Sequence, residues 1–224
     1  MKLKDYVEVK GVIVLKEGLK IGGTKEAVGI GETDNPIIRH PISRRPYLPG
    51  SSLKGKIRSL LEQKYSASSQ RSGHPCDCAS CFICSLFGCG NPSKGNEPPR
   101  LIFRDAWLTP ESEKELEENL PGSFAEVKTE IAMDRNKGRT ITGSLRQQER
   151  IPAGARFDFS FTMRVFEEDI QKGSDYFKKL SEAFELIEKD YLGGCGTRGY
   201  GQVEIKTPDG KQPIFEYLRT LGNA

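Results

Sequence analysis

The stretch Phe157-Asp-Phe-Ser-Phe-Thr-Met-Arg-Val165 alternates apolar and polar side chains with a period of two residues. This alternation predicts a β-strand that has one wholly apolar face. A sheet covered on one side has to bury such a face, so we interpret Phe157, Phe159 and Phe161 as core residues rather than as stacking platforms for bases. This strand is the strongest indication of the fold.

The elements on either side of this strand alternate between strands and helices. Ser51 or Ser52 is predicted to cap a helix whose apolar stripe includes Leu53 and Ile57. A long Gly- and Pro-rich loop precedes that helix. The other predicted elements are strands at 6–15, 101–108 and 202–206, a short acidic helix at 111–119 and a helix at 175–192. Without the short acidic helix, the order is β-α-β-β-α-β.

This order predicts an α+β fold with a ferredoxin-like (RRM-like) βαββαβ core. We expect a single domain over residues 1–224 with two insertions. The first, at about 66–100, is expected to form a zinc-binding lid. The second, at about 111–155, is expected to combine the acidic helix with an extended thumb or hairpin arm.

The composition is that of a globular chain, with 36% hydrophobic and 29% charged residues among 224. It contains no run of about 18 apolar residues, which argues against a membrane span, and no membrane partner is expected. The net charge of +3 is small. An argument for nucleic-acid binding must therefore come from local clusters of basic residues.

Five of the six cysteines fall within residues 76–89, and His74 opens the same segment. The pattern H-x-C-x4-C-x2-C predicts a structural zinc site made of His74, Cys76, Cys81 and Cys84. Cys78 is an alternative to Cys76, and Cys89 is a further candidate. Reduced thiols without a metal are the competing interpretation.

Residues 192–201 contain five glycines and one arginine between a predicted helix and a predicted strand. A helix C-cap explains the first one or two glycines. The others favour close approach of the backbone to a polynucleotide, with an arginine fork suited to phosphate oxygens. The predicted RNA contacts in this loop are Gly193, Gly194, Gly196, Thr197, Arg198 and Gly199.

Two further basic segments are candidates for phosphate binding. Lys54 and Arg58 lie one turn apart on the first predicted helix, beside Ser51 and Ser52 at its N-terminus, where the helix dipole attracts anions. The arm contributes a third basic segment, with Lys128, Arg135, Lys137, Arg139, Arg146 and Arg150.

Asp34 lies in the Gly- and Pro-rich loop, six residues before His40. A turn-forming aspartate before Asn-Pro is the simpler interpretation of this position. A lone carboxylate can also assist RNA cleavage, by holding a divalent cation or by positioning the ribose 2′-OH.

Four motifs together resemble the repeated backbone subunit of type III-A, Csm-type, CRISPR effector complexes, in the superfamily of repeat-associated RNA-binding proteins. They are residues 48–58, 84–88, 146–154 and 190–199. Cys195 departs from the pattern, since such loops often carry another glycine there.

The resemblance implies a filament of several copies that grips crRNA, with the arm acting as a thumb that displaces one nucleotide at regular intervals. It implies divalent-metal-dependent cleavage of target RNA, using Mg²⁺ or Mn²⁺, with Asp34 as the catalytic residue. The implied partners are crRNA, target RNA, and the large, small and end-capping Csm-type subunits, all in the cytoplasm. Two alternatives are a metal-independent guide-precursor nuclease that uses His40 and a non-catalytic structural filament subunit.

Overall fold

A computed structural model describes residues 1–22, 35–65, 73–91, 93–94, 97–169 and 173–223. Its strands are β1 (Leu3–Leu15), β2 (Tyr47–Leu48), β3 (Leu101–Phe103), β4 (Ala106–Leu108), β5 (Glu126–Glu130), β6 (Met133–Asp134), β7 (Arg139–Thr140), β8 (Arg146–Arg150), β9 (Arg156–Phe166) and β10 (Val203–Lys206). Its helices are α1 (Gly50–Lys64), α2 (Phe82–Phe87), α3 (Pro110–Asn119), α4 (Gly173–Lys189) and α5 (Ile214–Leu221). Within these ranges, no helix is long and apolar enough to cross a bilayer.

The central sheet has six antiparallel strands in the order β10-β1-β9-β4-β2, and β3 also pairs with β9. The long β1 and β9 form its centre, with Val9 opposite Phe161 and Ile13 opposite Phe157. Period-two alternation sends these four side chains to one face, where each is at most 1% exposed. The prediction of a strand with a buried aromatic face is therefore confirmed.

Helix α4 packs on this aromatic face. The Phe184 ring lies 5.8 Å from the Phe161 ring and 5.9 Å from the Phe159 ring. Burial of one such side chain contributes about 1.5–3 kcal/mol, so this contact anchors the helix layer on the sheet. The phenylalanines are core residues, as the sequence pattern indicates.

The N-terminus of α1 differs from the prediction. The helix begins at Gly50, neither Ser51 nor Ser52 caps it, and both lie in its first turn. The Asp105 carboxylate instead accepts the Gly50 N–H at 2.8 Å. Asp105 stands between β3 and β4, so the predicted strand at 101–108 is interrupted where it reaches the helix end.

The segment after α3 forms an arm of two successive antiparallel pairs. Strand β5 pairs with β8, and β6 pairs with β7 further out. At the tip, the Asp134 carboxylate accepts the N–H groups of Asn136 and Lys137, and this closes the turn. The arm is therefore a continuous hairpin that projects from the sheet layer.

Helix α5 was not predicted from the sequence. It follows Pro213, and it buries Ile214 and Leu218, which lie one turn apart. The Ser181 hydroxyl of α4 donates to the Phe215 carbonyl at 2.7 Å. The i, i+4 apolar pair after a proline was the available signal for this helix.

Candidate nucleic-acid interface and metal centre

The glycine-rich loop is held against the chain that follows β1. The Gly194 N–H donates to the Lys20 carbonyl at 2.8 Å, and the Gly201 N–H donates to the Gly18 carbonyl at 3.0 Å. The Leu192 N–H closes the loop on the Gly201 carbonyl at 2.8 Å. The loop therefore has a defined shape before any ligand binds.

Two of the predicted RNA-contact glycines are required by packing within the chain. A Cβ on Gly193 would overlap the Lys20 carbonyl oxygen, and one on Gly196 would overlap the Tyr191 ring. Gly199 instead faces open space with a φ of +80°, and Cys195 has a left-handed backbone with a φ of 66°. Of the predicted contacts in the loop, Gly196 is half-buried and the others are exposed: Gly193, Gly194, Thr197, Arg198 and Gly199.

Arg198 contacts the base of the arm. Its Nη1 lies 2.5 Å from Glu130 Oε2, and its Nη2 lies 2.6 Å from the Cys195 sulfur. The Tyr200 hydroxyl donates to the other Glu130 oxygen at 2.8 Å. Burial, together with this bond to the carboxylate, raises the pKa of Tyr200 to about 12. Glu130 thus joins the loop to β5.

Basic side chains of the arm surround Tyr200. Lys128 Nζ lies 4.4 Å from the centre of its ring, and the Arg150 guanidinium lies 5.2 Å away. Arg150 is also paired with Glu126 at 2.6 Å. The cations of the arm base therefore lie on the same surface as the glycine-rich loop.

Helix α1 reaches the loop from the other side. Lys56 Nζ lies 2.7 Å from Asp190 Oδ2 and 3.8 Å from the centre of the Tyr191 ring. This contact joins α1 to the loop, while Lys54 and Arg58, each two residues from Lys56, lie on a different face of the helix. Contacts therefore link three segments that are distant in sequence.

Lys54 carries a charge that the described part of the chain does not balance. It is half-buried and forms no ion pair with a described residue. Burial, and then the nearby positive charges of Arg58 and Arg164, lower its pKa. The buried Arg164 Nε has no hydrogen-bond partner among the described residues. An anion at this position would compensate the charges of Lys54 and Arg164.

Arg58 is engaged within the chain. Its Nε lies 2.7 Å from Glu62 Oε1, and its Nη2 donates to the Cys76 carbonyl at 2.9 Å. Arg58 was predicted as an RNA contact, and the structure makes it a link between α1 and the cysteine segment.

The remaining predicted RNA contacts lie at the outer end of the arm. Arg135 and Arg139 are exposed on the two sides of the tip turn, and neither forms an ion pair with a described residue. The apolar side chains of Ile131, Met133 and Ile141 are about half exposed nearby. The arm therefore presents mixed basic and apolar groups to solvent.

Asp34, the predicted catalytic residue, lies outside the described residues. The next residue, Asn35, is anchored to β8. Its side-chain amide donates to the Gln147 carbonyl at 3.4 Å, and its carbonyl accepts the Glu149 N–H at 3.2 Å. Arg39, further along, is paired with Glu149 at 2.8 Å. The chain that follows Asp34 thus returns to the base of the arm.

His40, the alternative catalytic residue, has a local structural role. Its Nδ1 accepts the Ser43 N–H at 3.2 Å, which leaves the proton of a neutral ring on Nε2. Its ring packs edge-on against Trp107, with centroids 5.5 Å apart, and Trp107 stacks on Tyr47 at 5.1 Å.

The cysteine segment gathers four thiols. The sulfur atoms of Cys76, Cys78, Cys81 and Cys84 all lie within 4.8 Å of one another. Measured pairs are 3.6 Å for Cys76 and Cys78, 3.8 Å for Cys76 and Cys81, and 3.9 Å for Cys78 and Cys84. Zn–S bonds of about 2.3 Å give tetrahedral S···S edges of about 3.8 Å, so the four thiols fit zinc.

This cluster differs from the predicted ligand set by one residue. His74 is exposed and does not belong to the group, and Cys78 joins it alongside Cys76 instead of replacing it. Cys89 is also outside the group. Ala79, with a φ of 62°, bends the chain just after Cys78, a conformation that the ligand spacing does not predict.

The four thiols differ in their electrostatic environments. Burial raises the pKa values of Cys81 and Cys84. Burial acts in the same direction on Cys78, but hydrogen bonds from the Ser80 backbone and from Cys81 outweigh it and lower its pKa to about 6. One thiolate is thus available to start cation binding near neutral pH.

Comparisons with known proteins identify the family. A family model described as the RAMP superfamily matches residues 13–204. The protein named "CRISPR system Cms endoribonuclease Csm3" from Methanocaldococcus jannaschii is 43% identical over 209 residues, which are 92% of this chain and 81% of that protein. The chain belongs to the Csm3 family of the RAMP superfamily.

Other relatives agree with this assignment to the Csm3 family. The protein of the same name from Mycobacterium tuberculosis is 36% identical over 89% of this chain and 86% of its own length. A crystal structure of a Csm3–Csm4 subcomplex from the type III-A CRISPR–Cas interference complex matches with a TM-score of 0.62 and 28% identity. That match covers 100% of this chain and 97% of the solved one, so it includes the sheet, the loop and the arm.

Proposed function

We propose that this chain is the crRNA-binding backbone subunit of a type III-A CRISPR interference complex and that it cleaves complementary target RNA at regular intervals. The observation that carries this proposal is the set of contacts that join α1, the glycine-rich loop and the arm base, which together we assign as the RNA-binding surface. Lys56 joins α1 to Asp190, and Arg198 joins the loop to Glu130. The relatives named as Csm3 endoribonucleases support the cleavage activity.

RNA binding on this surface is electrostatic and independent of base sequence. Lys54, Arg198, Arg135 and Arg139 are the cations we assign to phosphates, with the exposed backbone of Gly194 and Gly199 beside them. Arg58 supports the surface through Glu62 and Cys76. Base pairing between guide and target supplies sequence specificity.

We assign target cleavage to Asp34. The anchoring of Asn35 on β8 supports this assignment, because it returns the loop to the arm base. The expected reaction is in-line attack by the ribose 2′-OH beside the displaced nucleotide on the adjacent phosphorus. The 2′-O–P bond forms as the P–O5′ bond breaks, the 2′-OH loses its proton to solvent and the leaving 5′-oxygen gains one, so the products are a 2′,3′-cyclic phosphate and a 5′-OH. The Asp34 carboxylate would orient that hydroxyl or hold a hydrated ion. A bound Mg²⁺ or Mn²⁺ supplies stabilisation of negative charge on the phosphate. A carboxylate oxygen is a suitable ligand for either ion.

We propose a structural zinc ion held by Cys76, Cys78, Cys81 and Cys84. The S···S distances support this set, which leaves no open coordination position. The ion would stabilise the lid at about 66–100.

For the architecture, we propose one domain with a ferredoxin-like core and a second insertion, the arm, at about 111–155. The strand order supports this core, since the fourth, first, third and second core strands lie side by side. We also propose self-association into a filament and contact with the other Csm-type subunits. The Csm3–Csm4 subcomplex supports contact with a related subunit.

The decisive experiment uses the reconstituted complex with crRNA and a complementary target RNA. Cleavage at regular sites should require a divalent ion and should be lost on addition of EDTA. Asp34→Ala should abolish cleavage while target binding is unchanged, and His40→Ala should still cut. Cleavage that survives EDTA and is lost in His40→Ala would favour the metal-independent nuclease. Target binding without cleavage in the wild-type complex would favour the structural subunit.

A further inference from the structure

A cavity of about 390 Å³ lies between the glycine-rich loop and the base of the arm. Lys128, Arg146 and Arg198 line it, and Glu130 is the one acidic residue among the described residues that line it. Three positive groups thus face one negative group. Lys128 and Arg146 form no ion pair with any residue in the described ranges. This surplus of positive charge suits an anionic ligand.

Glu130 is the better-fixed member of its ion pair with Arg198. Its side chain is 17% exposed, and both of its oxygens are engaged, one by Arg198 and one by the Tyr200 hydroxyl. The Arg198 side chain is 48% exposed. The Arg198 guanidinium can therefore rotate to another acceptor, whereas the Glu130 carboxylate is held in place.

A phosphate group competes directly with this carboxylate. Both present oxygens in the geometry that a guanidinium fork recognises. A phosphate in the cavity would also meet Lys128 and Arg146. Arg146 lies directly opposite Glu130 in the β5–β8 pairing but forms no ion pair with it. Displacement of Glu130 by a phosphate therefore replaces a partner of Arg198 with a ligand that all three cations share.

We propose that Glu130 occupies the place of an RNA backbone phosphate on Arg198 in the free chain, and that RNA binds by displacing it. Glu130 thereby sets the affinity of this subsite. This inference rests on the proposed RNA-binding function and adds a residue that controls it.

The test measures the affinity of the full chain for a labelled single-stranded RNA at fixed salt. Glu130→Gln keeps the side-chain size and an acceptor for Tyr200 but removes the competing charge. We expect its affinity to rise by up to about fivefold, which is the range for exposed ion pairs. Glu130→Asp keeps the charge but shortens the side chain, and a smaller rise is expected.

Glu167→Gln is the matched control. It removes the same charge from an ion pair, since Glu167 Oε1 lies 3.4 Å from Lys2 Nζ, but this pair lies at the start of β1 and the glycine-rich loop packs on the chain that follows the end of β1. We expect its affinity to change by less than about 1.5-fold, because distant exposed charges are screened by salt. In an Arg198→Ala background, Glu130→Gln should bring no gain, since the two residues act through each other.

The outcomes separate this inference from the proposed function. If Arg198→Ala weakens RNA binding but neither Glu130 variant strengthens it, the competition is disproved and Arg198 remains an RNA contact. An equal gain in Glu167→Gln would show that the effect comes from the change in net charge alone, and this would also overturn the inference. If Arg198→Ala and Glu130→Gln both bind like the wild type, the assignment of Arg198 in the proposed function is wrong as well.

Discussion

The Glu62 carboxylate accepts the backbone N–H of Cys76 at 2.9 Å. The same oxygen accepts the Arg58 Nε–H at 2.7 Å, and Arg58 Nη2 donates to the Cys76 carbonyl at 2.9 Å. Two side chains one turn apart on α1 therefore hold both backbone polar groups of this cysteine. The cysteine segment and the helix that carries Lys54 are fixed relative to each other.

Glu62→Ala should lower zinc affinity by about 10- to 100-fold, the usual effect of removing a group that orients a metal ligand. Competition with a chromophoric chelator measures it. Gln63→Ala is the control, because Gln63 is exposed and its side chain bonds, within the described part of the chain, only to Ser59 on its own helix. Arg58→Ala should also lower zinc affinity. An unchanged zinc affinity in this variant would mean that Arg58 does not orient the cysteine segment and has a role in RNA binding alone.

Cys78→Ser should reduce the zinc content well below the expected one ion per chain, as measured by elemental analysis. Cys89→Ser makes the same chemical change in the same segment but outside the four-thiol cluster. It should keep the metal and the melting temperature. His74→Ala should keep both too. Loss of zinc in His74→Ala with retention in Cys78→Ser would restore the ligand set predicted from the sequence.

Lys54→Ala should weaken binding of single-stranded RNA more than Lys56→Ala does. The charge of Lys56 is already matched by Asp190 at 2.7 Å, whereas Lys54 is beside two further cations. Salt titration of RNA affinity should show a slope shallower by roughly 0.7 for Lys54→Ala, the loss of one phosphate contact. Equal slopes for the two variants would remove Lys54 from the interface.

Glu188→Gln should raise the free energy of unfolding at pH 7. Burial, and then the negative charge of Glu204, raise the pKa of Glu188. The hydrogen bond that the Ile205 N–H donates to its carboxylate, at 2.7 Å, acts in the opposite direction but does not outweigh them. Because the pKa of Glu188 is higher in the folded than in the unfolded state, its protonated form stabilises the fold. This contribution to the free energy of unfolding is fully present below the unfolded-state pKa of about 4.3, and it is lost as pH rises through the folded-state pKa. The gain should therefore disappear towards pH 4 in denaturant titrations.

Glu185→Gln provides a control of opposite sign on the same helix. The hydrogen bond from Lys189 lowers the pKa of Glu185, so its charged form is favoured in the folded state. This substitution should not stabilise the protein at pH 7. A stabilising effect of equal size in both variants would show that reduced net negative charge, rather than burial of Glu188, is responsible.

The amino-acid sequence by itself determined the elements that depend on local periodicity. Alternation in β9 and the apolar stripe of α1 are set by backbone geometry over a few residues, so their patterns predict them directly. The clustering of cysteines and of glycines indicated where a metal and a phosphate backbone would bind. The i, i+4 pair of α5 carried the same kind of signal, and it was missed.

Tertiary structure alone decided which side chains meet. Asp105, from the turn between two strands, caps α1 in place of the serines beside the helix end. The left-handed backbone at Ala79 follows Cys78 where the cluster forms without His74. Glu130 engages Arg198 across 68 residues of sequence. Short patterns predict none of these contacts, because they depend on how distant segments pack rather than on the repeat of one backbone conformation.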